Sequence, residues 1–576
     1  MQRSIIMLNG IKQFKEKLYF LITTKDKKDI RNVLLLGFVV GLFELIGLAL
    51  IVLMIQIFTN LEIVSSNKVL NFIYEILANK NIELFVGIVA GSIFIFYTLK
   101  LVLSILNAKM MAKLTSNLYI DISKKLFENY LNYYYRDFGK KNTAEINQML
   151  LIESDNLALM VSNTIYLIIH LMIISMLYAY MVYIDYILTS IVTVIIIFFG
   201  YLYKTFLNHK LTIMGNERID AVNTYMKLIK STFANYKFIK GIDNDYIENN
   251  LSKSTLNYKK TRVDMLYWAE VPRVFLEFII IAIMIGILVF IKLKYEQTED
   301  LLLVVSAYAL ALFRMLPSLS RVMSGVNIIN MYKKTLDMVH IEFTQEIENI
   351  KLDTKLVFNN VIELHKVSYE YEQGEKKALD NISLFIKQGD KIAIVGESGS
   401  GKSTLMDTLI GLHLPSSGNF FIDDIEINDK DISSWRKTVS FVPQKVVLFE
   451  SNVKENITFG KEYNEKLFKE VLEDVFMYDI VMSKGGIEAK VGDEVSGFSG
   501  GQMQRIAFAR ALYQERDIIF LDEATSSLDE EVEKQIIDRL LNKYKNKTII
   551  AIVHKESIAK KYDKIIRLKD GKIVKE

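Results

Sequence analysis

"GESGSGKST", Gly396 to Thr404, lies between the apolar run "KIAIV" (391–395) and the helical run "LMDTLIGL" (405–412). A glycine-rich loop ending in Gly-Lys-Ser-Thr, placed after a strand and before a helix, is a P-loop. Gly396, Gly399 and Gly401 let successive backbone N–H groups turn inward onto phosphate oxygens. The helix that starts near Lys402 aims its positive end at the same charge. Lys402 is expected to bridge the β- and γ-phosphates of ATP, Ser403 to hold Mg²⁺, and Thr404 to complete the cradle. Around this loop, the chain after residue 330 alternates short β-rich runs with helical ones, the pattern of an α/β domain.

Two further stretches complete the chemistry. "DIIFLDEA" (517–524) reads as a buried parallel strand with carboxylates at its end. Asp522 is expected to bind Mg²⁺, and Glu523 to polarise the attacking water. "FSGGQMQRIAFARAL" (498–512) opens a helix at Ser499, Gly500 and Gly501, which is a second anion-binding helix end. The two phosphate-binding ends lie about a hundred residues apart. A site completed by two domains, each lending its second helix to the other's nucleotide, accounts for both. A homodimer with a second copy of the chain is therefore expected.

The first half is a different material. Six apolar segments, 33–58, 83–106, 159–184, 187–207, 274–292 and 301–325, match the length of about 20 residues that crosses a bilayer. Lysines and arginines crowd the N-terminal segment and the connections 109–158 and 204–273, which places these parts and the C-terminal domain in the cytoplasm. The expected organisation is an amphipathic helix at 1–30, a six-helix transmembrane domain at 31–330 with long cytoplasmic helical extensions, a linker at 331–355 and the nucleotide domain at 356–576. The tips 135–146 and 235–242 are expected to contact nucleotide domains, and 68–79 to form a short external helix. The chain has no cysteine, which excludes disulfides, thiolate metal sites and a cysteine-protease domain. Its net charge of +3 suggests no nucleic-acid partner.

The motif order resembles that of ABC exporter half-transporters of type IV, MsbA-like architecture. The resemblance implies further roles. Tyr371 takes the place of the adenine-stacking aromatic, and Gln444 in "FVPQ" that of the Q-loop residue joining Mg²⁺ and water to the membrane part. "VGDE" (491–494) resembles the exporter segment before the signature, which runs from Phe498 to Gln502. Asp529 in "SLD" matches the D-loop aspartate, and His554 the switch histidine at the γ-phosphate. Phe498 stands where leucine is usual, and Lys555 where arginine is common.

Cargo is read from charge inside the spans. Lys100, Arg273 and Arg314 lie towards the inner leaflet, and an arginine there costs at least about 2.5–3.5 kcal/mol at the bilayer centre unless it meets a partner or a wet cavity. Lys100 and Arg273 have the alternative of snorkelling, and Arg273 that of pairing with Glu277 on its own helix. A basic belt suits an anionic amphiphile. "VPRVFLE" (271–277), "ALFRMLPSLSRV" (311–322) and "YKFIK" (236–240) resemble stretches of PglK-type lipid-linked oligosaccharide flippases. That resemblance implies a flippase for polyprenyl-pyrophosphate glycans in the bacterial inner membrane, among membrane lipids, with Lys100, Arg273 and Arg314 as pyrophosphate contacts. The alternatives are an exporter of a peptide, another lipid or a drug, and an ATP-gated channel or regulator.

Overall fold

The computed structural model describes residues 12–14, 16–59, 64, 68–78, 81–241, 245–294, 298–348, 356–371, 376–492, 497–525 and 527–574, with backbone alone for 77, 203–212, 269, 290–294 and 298–303. The start of the expected N-terminal helix, the stretch 349–355 and Asp493 and Glu494 of "VGDE" lie outside them. The chain forms two compact units: Met1–Leu131 with Lys141–Gln345, and Asn132–Lys140 with Glu346–Glu576.

The first unit is helical. Its long helices are α1 (Thr24–Thr59), α2 (Ile82–Leu131), α3 (Ser154–Ile184), α4 (Tyr186–Ala234), α5 (Asp245–Lys294) and α6 (Thr298–Met331), followed by α7 (Lys333–Thr344). Among the described residues, Thr24–Thr59, Ile82–Leu131, Thr143–Ile184 and Asp245–Val289 are long and apolar enough to cross a membrane, and Tyr186–Leu202 is a shorter apolar stretch. The fourth and sixth expected spans are helical, within α4 and α6. The sharp joint between α3 and α4 has a local cause. The Asp185 side chain accepts from the backbone N–H groups of Ile187 and Leu188 at 2.9 and 3.0 Å, capping α4. Tyr308 of α6 closes the same turn by donating to the Asp185 carbonyl at 2.7 Å.

Part of the linker expected over 331–355 is helical. Lys333–Thr344 is a helix, because Thr335, Leu336, Val339 and Phe343 recur at helical spacing and are buried as one stripe. A buried polar network fastens α7. Glu153, which has no exposed surface, accepts from Arg218 of α4 at 2.8 Å and from Thr335 of α7 at 2.7 Å. Removing either donor from such a pair leaves a buried charge without its compensation.

The second unit is α/β. Strands β1 (Val361–Tyr369), β2 (Leu379–Lys387), β4 (Ser417–Ile422) and β5 (Ile425–Glu426) form one antiparallel sheet in the order β2-β1-β4-β5. Strands β3 (Lys391–Gly396), β6 (Val439–Val442), β9 (Ile518–Asp522), β10 (Thr548–Ile552), β11 (Lys564–Lys569) and β12 (Lys572–Val574) form another, in the order β12-β11-β3-β10-β9-β6. A short pair, β7 (Ser451–Asn452) and β8 (Lys490–Val491), stands apart. Alternate residues of β3 serve two cores, as strand geometry requires. Ala393 and Val395 join the cluster built with Ile506 and Phe508 of α9 (Gly500–Tyr513) and Ile537 of α10 (Glu530–Lys543). Ile392 and Ile394 join Leu405 and Leu409 of α8 (Lys402–Ile410), Phe420 and Trp435. Each leucine so buried contributes about 1.5–3 kcal/mol.

Sheet order matters for the site. Strands β3, β10 and β9 are adjacent and parallel, with Ile552 paired to Ile394 on one side and to Asp522 on the other. Their carboxyl ends therefore share one edge, where open α/β sheets bind ligands.

Candidate nucleotide site and membrane charge cluster

That shared edge gathers Gly396–Thr404 after β3, Asp522 and Glu523 at the end of β9, and His554 just beyond β10. Gly401 has φ +100, and a Cβ there would lie 2.5 Å from the Ala378 carbonyl oxygen, so both backbone and space demand glycine. Lys402 begins α8 and is buried, and its ammonium donates to the carbonyls of Gly396 and Glu397 at 2.9 and 2.8 Å. The lysine is thereby held over its own loop. Ser403 is exposed at the first turn, and Thr404 is buried and lies 3.2 Å from the Tyr371 hydroxyl.

Glu523 is held from two sides. The Gln444 amide donates to one carboxylate oxygen at 2.5 Å, and His554 Nε2 lies 2.6 Å from the other. Its backbone is left-handed, with φ +45, an uncommon state for a residue other than glycine and one met at functional sites. Neighbouring Asp522 is pushed up from the usual carboxylate range, first by burial and then by the Glu523 charge. One of its oxygens, Oδ1, and the hydroxyl of Ser400 are buried without a hydrogen-bond partner among the described residues. Orphaned acceptors of this kind call for a ligand. The donor set fits ATP with Mg²⁺: a hard carboxylate oxygen and the Ser403 hydroxyl for the metal, and a lysine and backbone N–H groups for phosphate.

The signature residues close on their own helix end. The Ser499 hydroxyl accepts from the Gln502 backbone N–H at 3.3 Å, and the Gln502 side chain accepts from the Ser499 N–H at 3.0 Å, a reciprocal capping box at the start of α9. Gly501 runs beside the Ser527 carbonyl, 3.1 Å from where its Cβ would stand, and Asp529 occupies the N-cap position of α10 without a side-chain capping hydrogen bond. The Phe498 ring is buried under the Lys484 ammonium, 4.5 Å from its centre, so the aromatic in place of leucine gains a cation. Lys555 pairs with buried Glu533 at 2.7 Å, and Glu533 also accepts from Thr525 at 2.6 Å. Its place after the histidine is therefore structural.

The sequence reading missed a cluster beside Tyr371. A cleft of about 1080 Å³ is lined by residues including Tyr135, Tyr369, Tyr371, Asp407 and His413. Of the tip expected over 135–146, residues 135–140 are built into this unit together with 132–134, while 141–146 belong to the first unit: Tyr133 bridges to Ile347, and the Tyr135 ring meets His413 at 5.5 Å. Burial pushes His413 down, so it is neutral near pH 7, and it shares a 3.1 Å hydrogen bond with the Tyr369 hydroxyl. Asp407 is pushed up to about 6 by burial and by the Asp522 charge. The signal was an aspartate one turn after Ser403 on the helix that follows the P-loop.

In the first unit the three cationic cargo candidates part company. Lys100 and Arg314 both pair with Glu44 of α1, Arg314 at 3.1 Å. Arg273 instead pairs with Glu277, 3.1 Å away on the same helix, with 65% of its side chain exposed. The expected belt of three is thus a pair on one carboxylate plus a separate arginine. Glu44 was missed because its partners lie on two other helices.

Comparison with known proteins accords with this geometry. The family profile described as "ABC transporter" matches residues 379–526. An ATP-dependent lipid A-core flippase of Bordetella avium is 26% identical over 477 residues, covering 81% of this chain and 80% of that one. The lactococcin-G-processing and transport ATP-binding protein LagD of Lactococcus lactis is 37% identical over 254 residues, covering 42% of this chain and 34% of that one. A solved bacterial Atm1-family ABC exporter with ATP bound superposes with a TM-score of 0.78 over 96% of this chain and 95% of that one, at 19% identity, a likeness of fold.

Proposed function

We propose that this chain, a multi-pass ABC half-transporter of the exporter fold that couples ATP hydrolysis to transport, moves an anionic amphiphile across the membrane. A lipid carrying phosphate or pyrophosphate is the cargo class favoured here, and a polyprenyl-pyrophosphate glycan is the specific candidate. The Bordetella avium relative is named for a lipid cargo, which supports a lipid at the coarser level. The observation that carries the cargo reading is the meeting of Lys100 and Arg314 on apolar helices. Guanidinium binds phosphate oxygens in a bidentate fork that few other groups match.

At the nucleotide site, bound ATP with Mg²⁺ supplies the transferable phosphoryl group and most of the charge compensation. Asp522, Ser403 and Gln444 would hold the metal, and Lys402 would exchange its loop carbonyls for phosphate. Tyr371 would offer its ring to the base. Glu523 takes up the proton of the attacking water, and Gln444 and His554 hold the carboxylate to that task. Ser499, Gly500, Gly501, Gln502 and Asp529 come to the phosphates from a second copy, so the working unit is a homodimer. ATP binding then favours one of two states of the pooled membrane helices, and hydrolysis releases it. The chain would act in the bacterial inner membrane with its nucleotide domains in the cytoplasm.

Reconstitution tests this reading. Phosphate-bearing lipids should stimulate ATP turnover and cross the bilayer, uncharged amphiphiles should not, and Glu523→Gln should abolish both. If Arg314→Ala leaves transport of the anionic lipid intact, the cargo assignment fails while the ATPase assignment stands.

A further inference from the structure

Glu44 is a carboxylate in the middle of an apolar helix, "VVGLFELIGLAL" (39–50). Such a residue is expensive in a membrane and marks function by default. Its two oxygens are divided between two helices: Oε2 faces the Lys100 ammonium of α2, and Oε1 faces the Arg314 guanidinium of α6 at 3.1 Å. Tyr97 forms the floor. Its hydroxyl lies 3.4 Å from Arg314, and its ring centre lies 5.5 Å from Lys100 and 5.6 Å from the Arg314 carbon. The floor fits because residue 47, one turn beyond Glu44, is glycine, and a Cβ there would stand 2.8 Å from the Tyr97 hydroxyl. Lys100 and Glu44 are largely covered, with side chains 13% and 15% exposed, while Arg314 keeps 37%. The guanidinium therefore retains an open side.

We infer that Glu44 is a built-in counter-ion which occupies the anion site of this transporter until a phosphate-type headgroup displaces it. The inference rests on the reading of Lys100 and Arg314 as cargo contacts. One carboxylate held by two cations reproduces the charge arrangement that a phosphate oxygen pair would make there. With Glu44 seated, the three side chains sum to one positive charge; with Glu44 turned away, two positive charges face the anion. Cargo binding thus has to overcome an internal ion pair, which sets a threshold against singly charged, weakly binding lipids. It also ties α1, α2 and α6 together through Glu44 when cargo is absent, and through cargo when it is present.

The test uses the full chain in phosphatidylcholine vesicles doped with phosphatidic acid, and reads the mole fraction that half-maximally stimulates ATP turnover. Glu44→Gln should lower that midpoint by about tenfold, which corresponds to about 1.4 kcal/mol. Arg314→Gln should raise it. A midpoint in Glu44→Gln equal to or above that of the wild type overturns the inference. If Glu44→Gln does not fold, Glu44→Asp retains the charge but is too short to reach both cations, so its midpoint should fall by a smaller factor; an unchanged midpoint overturns the inference equally. If Arg314→Gln matches the wild type, the cargo reading itself has failed, whatever Glu44 does. Inorganic pyrophosphate added alone separates sources: stimulation of Glu44→Gln by the free anion overturns the lipid headgroup as the required occupant, and silence supports it.

Discussion

Asp407 offers a test of the nucleotide site that needs no cargo. It sits on α8, one turn and a half after Lys402, where burial and the Asp522 charge push its carboxyl from 3.8 up to about 6. The folded protein therefore holds this proton more tightly than the unfolded chain does. Below about pH 4 both states are protonated, and the residue costs nothing. As pH rises from about 4 through about 6, the unfolded chain ionises more readily than the fold, so stability is lost and stays lost above. A rise of about two units corresponds to about 3 kcal/mol. The carboxyl keeps 20% exposure, and solvent screening brings the expected cost to about 1.5 kcal/mol. Asp407→Asn is neutral at every pH and removes that cost. For a unit of this size, a gain of about 1.5 kcal/mol corresponds to about 3–6 °C in melting temperature. Trp435 is the reporter, because its indole donates to the Leu409 carbonyl at 2.8 Å, on the same helix; Trp268→Phe leaves it as the sole tryptophan. Without Mg²⁺, Asp407→Asn should melt above its parent at pH 7.5, and the gap should close towards pH 4. Mg²⁺ with a non-hydrolysable ATP analogue should narrow the gap at pH 7.5, because the metal cancels the Asp522 charge that contributes to the shift. A gap that is absent at pH 7.5, or that does not change between pH 7.5 and 4.5, refutes the assigned cause.

Other perturbations have equally definite outcomes. Gly401→Ala forces a side chain into left-handed backbone and against the Ala378 carbonyl, a strain of about 1–3 kcal/mol; titration with a fluorescent ATP analogue should show binding weakened by about 5- to 150-fold. Glu523→Gln keeps a group able to pair with Gln444 and His554 but removes the base, so phosphate release should fall by about 10²–10⁴ while ATP binding persists. Arg218→Met strands the Glu153 carboxylate inside the first unit, and should cost about 3–5 kcal/mol in a thermal or denaturant melt; Glu153→Gln in the same chain should recover part of it.

What was legible in the sequence was what a contiguous stretch decides. The P-loop, the strand ending at Asp522 and the histidine after "TIIAIV" each carry strand, turn and chemistry together. Parallel pairing of β3, β10 and β9 then brings them to one edge without further information. The break between the expected spans 159–184 and 187–207 was legible as a gap in the apolar pattern, while its cause, the Asp185 side chain capping the helix that begins at the next residue, came from the structure. The helix inside the expected linker shows the opposite case. Its helix α7 is amphipathic, but its buried stripe is short, and what secures it is the polar pairing of Thr335 with Glu153, 182 residues away.

Charge inside the apolar helices was legible by residue and illegible by partner. An arginine at 314 announces that something must compensate it, and helical spacing offered only neighbours on its own element. For Arg273 that local neighbour, Glu277, is the partner. For Arg314 and Lys100 the partner is Glu44, 270 and 56 positions back in the chain respectively, on a helix whose other residues from Val33 to Thr59 carry no charge. The same physics governs both cases, because a charge in a poor solvent takes whichever counter-charge the fold delivers. The difference has a consequence for function. An i,i+4 pair on one helix is unaffected when helices move apart, whereas a carboxylate shared between α2 and α6 must be released or replaced when they do. Of the cations named on the apolar helices, Lys100 and Arg314 are therefore the two whose pairing depends on how α1, α2 and α6 are placed, and Arg273 is the one whose pairing does not.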